Sequence, residues 1–68
     1  MHMTAILTPA DIGGYVVYNP ETGTASQSES IEEAVANLRE AVELYLEEFP
    51  MAPPGAPIIT HFDVPVNA

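Results

Sequence analysis

With 68 residues, ten acids against the single Arg39, and a formal net charge of -9, the chain has room for one domain and carries no surface that could grip phosphates. Proteins that hold a nucleic-acid backbone do so with Lys and Arg, so direct DNA or RNA binding is not expected, and a basic protein is the natural complement. Cysteine is absent, which removes disulfides and thiolate zinc sites as staples for a domain that buries only about 60% of its unfolded surface and makes oligomerisation the favoured source of added stability.

Met1 to Leu7 reads as a first strand, with Met1, Met3, Ala5 and Leu7 on one face. Thr8 to Gly14 is turn chemistry, since Pro9 presets its backbone angle and the Gly13-Gly14 pair permits positive φ. Tyr15-Val16-Val17-Tyr18 is the clearest strand, built wholly of β-branched and aromatic residues. Tyr15 and Val17 point one way, Val16 and Tyr18 the other, and all four want cover. One helix covers one sheet face, so the second face calls for another copy of the chain or a partner.

Asn19-Pro20-Glu21-Thr22-Gly23 is a second turn, and Thr24 to Ser28 a short third strand of small polar residues. Ser30 to Pro50 then forms an amphipathic helix. Ile31, Ala34, Val35, Leu38, Ala41, Val42, Tyr45, Leu46 and Phe49 fall at steps of three and four, while Glu32, Glu33, Arg39, Glu40, Glu43, Glu47 and Glu48 occupy most of the rest. Ser30 is the expected N-cap, with Glu33 completing a capping box, and Pro50 stops the helix. Met51 to Pro57 is a proline-rich connector. Ile58 to Val66 alternates as a last strand, with Ile58, Thr60, Phe62, Val64 and Val66 on one face and Ile59, His61 and Asp63 on the other.

The expected fold is therefore α+β, a small antiparallel sheet with one helix on one face, in the order β-β-β-α-β, as a single domain over residues 1–68. The expected assembly is a homodimer or homotetramer, with Val16, Tyr18, Ile59 and His61 at the interface between copies. No apolar run approaches the roughly 20 residues needed to cross a bilayer, and the start of the chain lacks the basic and apolar regions of a signal peptide, so a cytoplasmic location is expected.

Catalytic chemistry finds little to work with. His2 and His61, on the two terminal strands, would need Asp63 as a third ligand to hold a metal. Asp11 and Asp63 sit on a loop and a terminal strand, whereas two-metal nucleases converge several acids at the centre of a sheet. Gly13-Gly14 precedes a strand and not a helix N-terminus, so it is no phosphate loop. The reading is a non-enzyme without metal or cofactor.

The run GGYVVYNPETGTASQSESIEEAVANLREAVELYLEEFP, from Gly13 to Pro50, resembles the core of HicB-type antitoxins. There a GGYVV-like strand is followed by a Pro-acid loop, a Gly, a short Thr/Ser/Gln strand and a helix of the form T-x-E-E-A-x-x-N-x-x-E-A-x-x-L-x-L-E. Glu32, Glu33, Ala34, Asn37, Glu40, Ala41, Leu44 and Leu46 fall in register with that helix, and Ser30 stands at its cap. The family often reads Leu-Pro-Gly-Cys in the loop and Gly-Asp-Thr before the helix, where this chain has Glu21-Thr22-Gly23-Thr24 and Ser28-Glu29-Ser30. The resemblance implies a partial RNase H-like fold without that fold's catalytic acids. It also implies a role in neutralising HicA, a small basic ribonuclease toxin. Many family members carry a C-terminal DNA-binding domain, and none is expected over these residues. The expected partner contacts are Glu21, Glu29, Glu32, Glu40 and Glu43; the alternative is a stand-alone homo-oligomeric module that binds another protein or a small ligand.

Overall fold

The computed structural model describes residues 1–67. Three strands, β1 (Ile6–Pro9), β2 (Tyr15–Asn19) and β3 (Thr24–Ser28), precede one helix, α1 (Ile31–Glu48). They form an antiparallel sheet in the order β1-β2-β3, with Leu7 opposite Val17 and Val17 opposite Ser26. The helix lies over β2 and β3. This is the α+β arrangement that the sequence predicts up to the end of the helix.

Directly opposed residues of an antiparallel pair share a face. Leu7, Tyr15, Val17 and Asn19 therefore face the helix together with Thr24, Ser26 and Ser28. Val17, Ala34, Leu38 and Val42 form the buried core, and Met3, Leu7, Tyr15 and Leu46 pack around it. Burying side chains of the size of Val17, Leu38 and Val42 contributes about 1.5–3 kcal/mol each. A core of this size leaves little reserve.

Both turns use glycine for backbone geometry. The first is closed by Ala10 N–H donating to Gly14 C=O at 3.0 Å and Gly13 N–H donating to Ala10 C=O at 3.1 Å, with Gly14 at φ +78°. A Cβ on Gly14 would stand 2.7 Å from the Ser28 carbonyl oxygen, so that position is closed to any side chain. In the second turn Gly23, at φ +76°, donates its N–H to Asn19 C=O at 2.9 Å.

The helix starts as expected: the Ser30 hydroxyl accepts from Glu33 N–H at 3.2 Å. It stops at Glu48, with Phe49 N–H still bonded to Tyr45 C=O. The periodic stripe is wider than the sheet can cover. Ile31, Val35 and Phe49 stay exposed, because the sheet beneath has three short strands and its β1 side is left open.

Two strand expectations are corrected. The first strand spans Ile6–Pro9 and not Met1–Leu7, because its ladder is set by β2, whose Tyr18 pairs with Ile6. Residues 1–5 join no ladder and are tied by side chains. Pro9 is tolerated as the last residue of an edge strand, where its missing N–H costs no bond. The final strand over Ile58–Val66 is not formed: no strand edge meets that segment in the protomer, and a strand without a partner has nowhere to place its backbone hydrogen bonds. The radius of gyration is 14.1 Å, against about 11 Å for a compact chain of this length, and the segment beyond the helix is exposed almost throughout.

Candidate functional site

At about 100° per residue, Glu32, Glu33, Glu40, Glu43 and Glu47 fall within one arc of roughly 100° on α1. Ala34, Leu38 and Val42, the buried residues, lie on the opposite side. The acids are exposed, and the sequence places them there because the positions between apolar steps have no other surface to meet. The one positive side chain of the stripe is already engaged, as Arg39 Nε donates to Glu43 Oε1 at 3.0 Å. With the two side chains 83% and 63% exposed, this i,i+4 pair adds only a few tenths of a kcal/mol to stability. The stripe presents carboxylates to solvent along the length of the helix.

Of the five expected contact residues, Glu32, Glu40 and Glu43 share this stripe. Glu29 is exposed just before the helix start, where it joins Glu33, Tyr15, Gln27 and the Ala10–Gly13 turn around a shallow depression of about 290 Å³. Glu21 stands apart. Its carboxylate is turned inward and accepts Thr4 N–H at 2.8 Å, Thr4 Oγ1 at 2.8 Å and Asn19 Nδ2 at 2.6 Å. The Thr4 backbone bond is the main cause that holds the Glu21 carboxyl below its usual pKa of 4.5; burial pulls it upward, and the Thr4 and Asn19 side-chain bonds lower it further. Glu21 is a structural acid first.

Asn19 is the hub of that cluster and is fully buried. Its amide donates to Thr4 C=O at 2.8 Å as well as to Glu21, and its Oδ1 accepts from Thr22 N–H at 2.9 Å and Thr22 Oγ1 at 2.6 Å. Every hydrogen-bonding site of the side chain is filled, as burial of an amide requires. The sequence reading missed its role, although an Asn opening a Pro-x-x-Gly turn is the residue that caps its own loop. The reading also left Glu33 and Glu47 out of the contact set, although the helical period alone places both on the stripe.

The expected interface residues divide between two places. Val16 and Tyr18, 39% and 43% exposed, stand on the sheet face away from the helix, in rows with Thr8 and Gln27 and with Ile6 and Ala25. Ile59 and His61 are exposed on the segment beyond the helix. His2 and His61 are both exposed, and among the described residues no three His, Cys, Asp or Glu side chains gather as a metal site. No helix among these residues is long and apolar enough to cross a membrane.

Compared with protein-family models, curated proteins and solved structures, the chain matches none.

Proposed function

We propose that the protein is an antitoxin-like binder that covers a small basic ribonuclease toxin of the HicA type, using the acidic stripe of α1. The observation that carries this reading is the row Glu32, Glu33, Glu40, Glu43 and Glu47, faced by a single guanidinium in the whole chain. A row of like charge on one helix face opposes folding by self-repulsion and is complementary to a partner of opposite charge. The order β-β-β-α with Ser30 as helix cap fits the resemblance from which the role is taken. Of the remaining acids, Glu29 extends the contact past the helix start, whereas Glu21 acts through the loop it holds. The site would work in the cytoplasm without metal or cofactor, by occlusion and not by chemistry.

The test is to find whether a small basic protein is encoded beside this chain and, if so, whether the two co-purify; the lack of such a neighbour counts against the reading. Association that weakens steeply between 0.05 and 0.5 M salt is expected, because exposed charges are screened over about 10 Å at 0.1 M. Failure to associate at low salt overturns the reading.

A second reading, a stand-alone homo-oligomeric module that binds another protein or a small ligand, is favoured by Val16 and Tyr18 on the uncovered sheet face. It requires assembly without any toxin. A protein that is monomeric at micromolar concentration by light scattering would count against it.

A further inference from the structure

Two features of the fold answer each other. The first is a groove of about 370 Å³ between the helix and residues 1–5, with Met1, Met3 and Ala5 on one side and Val35, Leu38 and Val42 on the other. It exists because α1 sits over β2 and β3 and leaves the β1 side of the sheet unroofed. Residues 1–5 have no ladder partner, so they continue the open edge of β1. The second feature is the segment Ile58–Val66, whose alternation gives one apolar face of Ile58, Phe62, Val64 and Val66. Ile58 is 94% exposed, Phe62 84% and Val66 88%. Isolated apolar residues on a surface are ordinary, but four in strand register with no cover are not.

We propose that this segment lies as a strand in the groove beside β1 of a second copy, and that the exchange is reciprocal, so that the protein is a strand-exchanged dimer. This inference stands apart from the toxin reading and survives its failure.

The occupant is a second copy for three reasons. The connector from Pro50 to Pro57 holds four prolines among eight residues; such a chain is a semi-rigid spacer of about 3.1 Å per residue, so it holds the segment about 25 Å out instead of folding it back. The exchange is also self-limiting. Each copy offers one groove and one segment, so a twofold pair satisfies both at once and leaves no open end for further copies. Finally, the area suffices. At about 60–120 Å² for a buried Val or Ile and 150 Å² or more for Phe, two segments and the groove walls they meet reach the roughly 1,200–2,000 Å² of a stable interface.

Light scattering of the full chain tests the proposal, with a species of twice the 7.3 kDa chain mass expected. Because Phe62 and Val64 are exposed in the protomer, Phe62→Asn with Val64→Asn leaves the protomer fold intact. It is expected to raise the dimer dissociation constant about 100-fold or more. Val16→Ser with Tyr18→Ser leaves the dimer in place. The absence of cysteine allows a direct second measurement: Ala5→Cys with Thr60→Cys in one chain, oxidised at a concentration where the native chain is dimeric, is expected to give a covalent dimer. A monomeric native chain overturns the proposal. So does a dimer lost only on the Val16/Tyr18 change, or a disulfide that closes within one chain.

Discussion

Asn19→Ala removes the hub that ties residues 1–5 to the second turn. Three of the bonds lost join neutral groups: Asn19 Nδ2 to Thr4 C=O at 2.8 Å, and Thr22 N–H and Thr22 Oγ1 to Asn19 Oδ1 at 2.9 and 2.6 Å. At about 1 kcal/mol each, they sum to roughly 3 kcal/mol. A domain of this size has on the order of 3–10 kcal/mol in total, so the loss is a large share of its stability. For 60–100 residues, 1 kcal/mol moves the melting temperature by about 4–8 °C, which places the expected drop at roughly 12–24 °C. Thermal melts followed by circular dichroism, at one fixed protein concentration because assembly adds to apparent stability, measure it. A variant melting within about 3 °C of the native chain would refute the assignment of Asn19 as a structural hub, since solvent would then be replacing all three bonds without cost.

Gly14→Ala must place a Cβ 2.7 Å from the Ser28 carbonyl oxygen at φ +78°; left-handed strain and overpacking together cost about 2–4 kcal/mol, while Gly13→Ala, with open space around it, loses only the strain. Chemical denaturation of the two variants side by side reads the difference. The Glu21 carboxyl, whose folded pKa lies below 4.5 chiefly through the Thr4 N–H bond, adds stability that is complete above the unfolded value and is lost as pH falls through the folded one. The gap in melting temperature between the native chain and Glu21→Gln is therefore expected at pH 7 and should narrow as acidification carries the carboxyl through its lowered folded pKa; a gap independent of pH would contradict it. Ser30→Ala removes the acceptor of Glu33 N–H and is expected to cost about 1 kcal/mol, measured in the same melts.

Where local chemistry decides structure, the sequence predicts it. Tyr15 to Tyr18 is a strand because its residues are β-branched and aromatic, the helix begins after Ser30 because the hydroxyl can cap it, and the acidic stripe follows from the 3.6 period. What the sequence conceals depends on partners. Met1 to Leu7 has the alternation of a strand, yet pairing begins only at Ile6, where β2 supplies an opposite residue, and the preceding residues are held through Thr4 and Asn19 instead. The Ile58–Val66 alternation is equally plain, but alternation specifies a face and not a neighbour, and in the protomer no edge meets it. Glu21 looks like any other surface acid until Asn19 and Thr4 are placed around it.

The most direct test of the proposal that the acidic stripe recognises a basic partner is growth on co-expression with a small basic nuclease-type protein, should one be encoded beside this chain. The expected result is that the native chain restores growth, and that Glu32→Lys, Glu40→Lys and Glu43→Lys together abolish the rescue while the variant stays folded by circular dichroism. A neighbour that stays toxic beside the native chain, or a rescue that survives the triple charge reversal, would contradict it.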